Sequence, residues 1–340
     1  MKKCKFGGLA ISKQITNLPF SGMHFIERWD LTYIYYDKDK IMSDPDTSIY
    51  FGRVTDNMGN KIDDIVVKVV NQNSVEVEQL MNENNKLNII ETTSAAKYIP
   101  RKYDFIVPGY SHDNTYKLIM QRVGKSLESI SAKQKISAKT CLSIMYQAIE
   151  ALQALHEAGV GFAHNDIKPG NMCIGLKDPN NLKLIDLGIS EQYSKLRENH
   201  PRRQHRINGS PYYVSPEIWY GKDFMPVSRK HDLQSLLYVI LELYHGSLPW
   251  KNITMQDINW SQVPAARKQI ADYKDTAVVS EIDKIRDPEF VNVLIQYYTI
   301  VWNTGLFKKP GYKKLMNRIK RYPGFTRDIV ISPRKAQALI

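Results

Sequence analysis

The sequence predicts an α+β chain in two lobes, a small β-rich lobe with one helix over residues 26–120 and a larger, mainly helical lobe over 121–322. Three observations carry that expectation. Short β-branched and aromatic runs crowd the first half around a single helical stripe. Long stripes of 3.6-residue period fill the second half. A change of composition near residues 120–125 separates the two. Residues 1–25 read as an N-terminal arm and 323–340 as a C-terminal tail.

In the first lobe the strand-like runs are Leu31–Tyr36, Ile49–Val54, Ile65–Val70 and Leu118–Met120. Asn57-Met58-Gly59-Asn60 marks a turn between the second and third runs. The helix expected between the third and fourth is Val75–Ile89, with Val75, Val77, Leu80, Met81, Leu87 and Ile89 as its apolar members.

In the second lobe Cys141, Ile144, Met145, Ala148, Ile149, Leu152 and Leu155 form one helical face. Ser137 suits its N-cap and Gly159 its C′ position. An extended piece follows at 160–163, then a loop at 164–171. A hairpin comes next, Met172–Ile174 and Leu182–Ile185, turning at Asp178-Pro179-Asn180-Asn181. Leu233–Leu243 is apolar nearly all round and belongs at the centre of its lobe. Further helices are predicted at Phe290–Trp302 and Tyr312–Ile319. There is no internal repeat and no low-complexity segment.

Bulk properties narrow the class. Of 340 residues, 43% are hydrophobic and 24% charged, the balance of a soluble globular protein with room for two cores. The net charge of +12 suits acidic or phosphorylated partners, nucleic acid or an anionic surface, and does not choose among them. Cys4, Cys141 and Cys173 are scattered and odd in number, against a disulfide framework and for a reducing compartment. No C-x-x-C or His-rich spacing suggests zinc. The start, Met1-Lys2-Lys3-Cys4-Lys5, lacks a signal-peptide core, and Lys2 excludes N-myristoylation. The apolar stretch Leu236–Leu243 is broken by Glu242 and is too short to span a bilayer. A soluble intracellular chain, cytoplasmic or nuclear, is expected, a monomer by default.

The chemistry concentrates in His164-Asn165-Asp166-Ile167-Lys168-Pro169-Gly170-Asn171. Phosphoryl transfer needs a carboxylate beside the attacking hydroxyl, a cation against developing charge and an oxygen ligand for Mg²⁺. Asp166, Lys168 and Asn171 supply all three within six residues, and Pro169-Gly170 favours a tight loop. The predicted hairpin starts directly after Asn171 and ends directly before Asp186-Leu187-Gly188. Antiparallel pairing would bring Asn171 and Asp186 together as hard oxygen ligands for Mg²⁺. Upstream, Lys68 sits inside the apolar run Val66-Val67-Lys68-Val69-Val70, where an unpaired ammonium is costly. Glu83 on the predicted helix is its chosen partner, with Glu76, Glu78 and Glu91 as competitors.

These parts make the chain resemble a eukaryotic-type protein kinase over about residues 26–322. H-x-D-x-K-x-x-N at 164–171 is similar to the kinase catalytic loop, Asp186-Leu187-Gly188 stands where kinases have D-F-G, and Val214-Ser215-Pro216-Glu217 stands for A-P-E. Gly246-Ser247-Leu248-Pro249-Trp250 and His231-Asp232-Leu233-Gln234-Ser235-Leu236 resemble the casein kinase 1 group. Leu118-Ile119-Met120-Gln121-Arg122-Val123-Gly124 does too, and is also similar to the hinge of vaccinia-related kinases.

The resemblance implies ATP and Mg²⁺ as cofactors. Lys68, paired with Glu83, would anchor the α- and β-phosphates. Met120 would lie near the adenine as gatekeeper, Gln121–Val123 would form the hinge, and Asn171 with Asp186 would hold the metal. Asp166 would accept the proton of the attacking hydroxyl and Lys168 would stabilise the transferring group. Asp232 would open the central helix and brace the catalytic loop. D-x-K-x-x-N implies serine or threonine rather than tyrosine as acceptor.

Two departures stand out. Aligned backwards from Val54, the glycine-rich loop reads Thr47-Ser48-Ile49-Tyr50-Phe51-Gly52-Arg53-Val54, keeping only Gly52 of three glycines. Thr47 and Ile49 would hinder close approach to phosphate, and Asp44 and Asp46 add negative charge, so weak nucleotide affinity is expected. Asn165 replaces the arginine that reads a loop phosphate, which implies activity without phosphorylation of that loop.

The simpler readings are weighed beside these. Asp166, Asn171 and Asp186 could each be a turn residue, but not all three together with Lys68 and Lys168. His164 fits a structural role better than that of a base. Arg197, Arg202, Arg203 and Arg206 read either as a solvated loop or as an anion pocket for acidic or phosphate-primed protein substrates, as the resemblance implies. The basic run from Lys308 to Arg321 (Lys313, Lys314, Arg318, Lys320, Arg321) reads as a solvated helix face before a nucleic-acid site. The rival from another class is a pseudokinase that binds partners, with weak or no nucleotide binding. A basic nucleic-acid-associated protein is the third.

Overall fold

Alternating residues of the first half build a six-stranded antiparallel sheet, because each strand has one face against a core and one facing a cleft. The computed structural model describes residues 22–109, 113–159, 161–192, 209–220, 228–252 and 264–331. The strands are β1 (Met23–Arg28), β2 (Leu31–Ser43), β3 (Thr47–Asp56), β4 (Lys61–Asn71), β5 (Lys102–Ile106) and β6 (Thr115–Gln121), in the spatial order β1-β2-β3-β4-β6-β5. All four expected strand runs are present, each longer than its apolar stretch. β1 begins inside the expected N-terminal arm, and β5 was not foreseen, since Lys102 and Asp104 interrupt its aromatic residues.

One sheet face carries Tyr33, Tyr35, Val54, Ile65, Val67, Ile106 and Ile119 in a small core of their own. The other face carries Val66 and Lys68 and turns toward helix α1 (Glu76–Ile90) and the second lobe. The helix starts one residue later than expected and buries Leu80, Glu83, Leu87 and Ile90.

The second lobe is organised around α3 (Ala138–His156) and α5 (Arg229–His245), following the short α2 (Leu127–Ser131) and α4 (Pro216–Tyr220). Ser137 caps α3 by accepting from the Thr140 amide at 3.2 Å. The helix stops at His156, with Glu157 as its cap, so Gly159 is not the C′ residue. Gly159 instead supplies a left-handed turn, φ +55°, farther on. Leu233 to Leu241 and Leu243 are buried as the all-round apolar pattern requires. The α5 helix opens at Ser228, whose side chain forms a capping box with His231, so Asp232 lies within the first turn rather than opening it.

Helices α6 (Pro264–Asp283), α7 (Pro288–Trp302) and α8 (Tyr312–Ile319) complete the lobe. The α6 helix was not expected from the sequence; its buried apolar face, Ala271, Ala277, Val278 and Ile282, follows a polar opening at Arg267-Lys268-Gln269. Residues 323–331, expected as a tail, are fastened to α3. Ser143 Oγ donates to the Thr326 carbonyl at 2.7 Å, Thr140 Oγ1 to that of Val330 at 2.9 Å, and Ile329 is buried. Among the described residues no helix is long and apolar enough to cross a membrane.

Two short strand pairs support the loops between the lobes. β8 (Met172–Ile174) pairs with β9 (Leu182–Leu184), and β7 (Phe162–Ala163) with β10 (Glu191–Gln192). The lobes are also clasped behind the hinge, where Lys177 of the second lobe lies 2.9 Å from Asp63 Oδ1 on β4. Asp63 also accepts from Tyr103 at 2.9 Å and from Gln121 Nε2 at 3.1 Å.

Candidate active site

The loop 164–171 is held from beneath by one buried carboxylate. Asp232 accepts from the His164 amide at 2.7 Å, the Asn165 amide at 2.9 Å and His156 Nε2 at 2.9 Å. Burial works to raise the Asp232 pKa, but the hydrogen bond and charge of His156, with His164, hold it below the usual carboxylate range. Asn165 takes a left-handed conformation, φ +68°, which Asn tolerates better than most residues. Its Nδ2 donates to the Ile189 carbonyl at 3.0 Å.

His164 is fully buried. Its Nδ1 accepts from the Asp166 amide at 3.3 Å, and Nε2 faces the Ile185 carbonyl at 3.1 Å. Both ring nitrogens are therefore engaged with backbone, a loop-holding role.

Asp166 is almost buried and uses both oxygens. Oδ2 is 2.8 Å from Lys168 Nζ and accepts from Asn171 Nδ2 at 2.9 Å. Oδ1 accepts from the amide and the hydroxyl of Ser210 at 2.9 and 2.8 Å. Sequence reading missed Ser210. Gly209-Ser210-Pro211 just ahead of Val214-Ser215-Pro216-Glu217 was the available signal. A Cβ on Gly209 would lie 2.4 Å from the Asn165 carbonyl oxygen, so the segment can approach the loop only with glycine there.

The hairpin works as its pairing requires. Met172 pairs with Leu184, and the Ile185 amide donates to the Asn171 carbonyl at 3.0 Å, which places Asp186 beside Asn171. Asn171 spends its amide nitrogen on Asp166 and leaves its side-chain oxygen as an acceptor. Asp186 is also left-handed, at φ +65°, a conformation that Asp, like Asn, adopts more readily than most residues. Its Oδ1 lies 3.6 Å from Lys68 Nζ. Burial alone would raise the Asp186 pKa, and the charge of Lys68, with that of Lys168, more than reverses it. One amide oxygen and one ionised carboxylate fit a hard divalent cation whose other ligands are water and phosphate. Among the described residues no group of three or more His, Cys, Asp or Glu gathers as a metal site.

Lys68 donates to Glu83 Oε2 at 3.3 Å, which singles out Glu83 over Glu76, Glu78 and Glu91. Burial works to lower the Lys68 pKa, but the Glu83 and Asp186 carboxylates outweigh it and raise it. Glu83 Oε1 also accepts from the Leu187 amide at 3.2 Å, joining α1 to the Asp186 segment. Met120 pairs with Val66, on the Lys68 face of the sheet. Gln121 turns its side chain to Asp63 on the opposite face and so offers the cleft only backbone. The amides of Arg122 and Gly124 bond to the carbonyls of Asp64 and Ile174, with Val123 between them.

The glycine-loop expectation is corrected. Gly52 and Val54 lie within β3, paired with Ile65 and Asp63 on the sheet face away from Lys68. Val54 is fully buried in the small core there. A Cβ on Gly52 would stand 2.5 Å from the Ile34 carbonyl oxygen and 3.0 Å from Tyr35 Cβ, so this glycine serves strand packing. The turn between β2 and β3 is Asp44-Pro45-Asp46, closed by the Asp44 amide on the Thr47 carbonyl at 2.9 Å. On the cleft face of β3 stand Ile49, opposite Lys68, and Phe51, opposite Val66. The Arg122 guanidinium lies 3.6 Å from the Phe51 ring centre, and its buried Nε has no hydrogen-bond partner among the described residues.

Glu217 is bound by Lys230 and by His231, the latter at 3.3 Å, which ties the end of this segment to α5. Arg197, Arg202, Arg203 and Arg206 lie outside the described residues.

The protein kinase domain family matches residues 50–319, and the chain belongs to that family. It is 28% identical to a probable serine/threonine-protein kinase of fowlpox virus over 222 residues, 64% of this chain and 68% of that one. It is 29% identical to casein kinase I homolog 3 of Schizosaccharomyces pombe over 215 residues, 61% of this chain and 46% of the relative. A probable serine/threonine-protein kinase of Dictyostelium discoideum is 30% identical over 194 residues, 55% of this chain and 38% of its own length. The chain therefore matches less than half the length of two of these relatives. The solved structure of vaccinia related kinase 3 shares the fold, with a TM-score of 0.64 at 20% identity, covering 90% of this chain and 91% of that one.

Proposed function

We propose that this chain is a serine/threonine protein kinase, transferring the γ-phosphoryl group of ATP to protein hydroxyls with Mg²⁺. The observation that carries the reading is two groups of polar contacts, one around Lys68 and one around Asp166. Lys68 reaches both Glu83 and Asp186, while Asp166 reaches both Lys168 and Asn171. In this reading Asp166 orients the hydroxyl and takes its proton, Lys168 offsets charge on the transferring group, and Asn171 and Asp186 hold the metal. Lys68 anchors phosphate oxygens, and Met120 with the backbone of Gln121 and Val123 receives the base. The Ser/Thr assignment draws on Lys168 and on the named relatives.

Finer points belong to the same proposal. Acidic or phosphate-primed protein substrates follow from the likeness to the casein kinase 1 group, and the net charge of +12 is compatible with them. The scattered cysteines support an intracellular, reducing setting, and Cys141 and Cys173 are free and buried. Asn165 bonds Ile189 directly, which supports activity without loop phosphorylation; phosphatase treatment should leave the rate unchanged.

The test is Mg-ATP-dependent ³²P transfer to casein and to the chain itself, comparing wild type with Asp166→Ala. Transfer lost in the variant supports the kinase. Equal background from both folded proteins supports a second reading, a partner-binding pseudokinase, which the glycine-free turn Asp44-Pro45-Asp46 favours.

A further inference from the structure

Lys86 lies one turn beyond Glu83 on α1, so the two side chains share a face. Its ammonium donates to the Leu187 carbonyl at 3.0 Å and to the Gly188 carbonyl at 3.4 Å. Glu83 accepts from the amide of that same Leu187 at 3.2 Å. Two consecutive turns of one helix thus take the two backbone polar groups of a single residue, the one that follows the left-handed Asp186. The Leu187 carbonyl also receives the amide and hydroxyl of Ser190 at 3.1 and 2.9 Å, whereas the Gly188 carbonyl has Lys86 as its donor.

This placement is costly for a lysine. Burial pulls the Lys86 pKa down to about 8, despite the Glu83, Asp186 and Glu191 charges that work to raise it. Among the described residues the Lys86 ammonium hydrogen-bonds only to the Leu187 and Gly188 carbonyls, so its placement serves the geometry of that backbone.

We propose that Lys86 is a positioning residue for Asp186. It fixes the Leu187 and Gly188 carbonyls against α1 and thereby holds the left-handed turn that aims the Asp186 carboxylate at the metal. This rests on the phosphoryl-transfer reading for its consequence, though not for its geometry.

The test uses the full chain with Lys86→Met and Lys86→Arg. Steady-state transfer is measured against Mg²⁺ concentration, and amide hydrogen exchange at Leu187 and Ser190 is measured without nucleotide. Lys86→Met is expected to lower kcat about 10-fold, the loss of one well-placed charged contact. It should raise the half-saturating Mg²⁺ several-fold, leave KM for the protein substrate unchanged, and speed exchange at both amides. Lys86→Arg, which keeps a cationic donor, should restore the Mg²⁺ dependence to within about twofold. Unchanged Mg²⁺ dependence and unchanged exchange in Lys86→Met overturn the proposal. If Lys86→Met does not fold, Lys86→Gln carries the same measurements. If wild type transfers no phosphate, the kinase reading falls by itself, and hydrogen exchange still decides whether Lys86 holds the segment.

Discussion

Ser210 gives two hydrogen bonds to one oxygen of Asp166, its amide at 2.9 Å and its hydroxyl at 2.8 Å. The carboxylate that would receive a proton is therefore oriented by a residue 44 positions away in sequence. Ser210→Ala keeps the amide bond and removes the hydroxyl, a net loss of about 1 kcal/mol. We expect kcat to fall about 5-fold, with Ser210→Thr close to wild type, as steady-state transfer assays would show.

The Lys68–Glu83 pair is buried on the Glu83 side, 2% exposed. Lys68→Met would leave that carboxylate without its cation, a loss of order 3–5 kcal/mol when a buried pair is broken. Transfer should drop about 100-fold or more and the melting temperature should fall. The added change Glu83→Gln should recover much of the stability and none of the activity. Thermal denaturation beside activity separates the two effects.

Gly52→Ala tests where the nucleotide loop is. Its Cβ would collide with the Ile34 carbonyl oxygen inside the sheet, at a cost of about 1–3 kcal/mol. The expected result is a lower denaturant midpoint with an unchanged KM for ATP in the folded protein. A several-fold rise in that KM with unchanged stability would return Gly52 to the phosphate site.

Lys86 also sets a pH dependence. Its folded pKa of about 8 lies below the value of 10.5 for a free lysine. Folding therefore expels a proton from Lys86 between those values, and the cost of burying the cation is full below pH 8 and relieved as pH rises toward 10.5. Wild-type stability should rise relative to Lys86→Met over that window. Paired urea melts at pH 7 and pH 9.5 would show the difference moving toward wild type.

What could be read before folding was whatever local spacing encodes. The hairpin ends put Asn171 beside Asp186 because a strand, a turn and a second strand leave no other place for them. The Lys68–Glu83 pair was legible because an ammonium flanked by four valines demands a carboxylate. Gly52 misled because a glycine two residues before a valine fits both a phosphate loop and a crowded strand. Only the β2–β3 register, with Gly52 opposite Tyr35, separates them. Ser210 and Lys86 were hidden for the opposite reason: each meets a partner dozens of residues away in sequence, and local spacing does not encode such a contact.

The turn Asp44-Pro45-Asp46 has a consequence for the tempo of the reaction. Two carboxylates with no glycine make a poor cover for a polyanion, so spent nucleotide should depart quickly rather than be retained. The slow step would then be the bond-breaking event itself. Turnover measured in sucrose-thickened buffer should keep the pace it has in water, where a chain with a clasping glycine loop would slow in proportion to the viscosity.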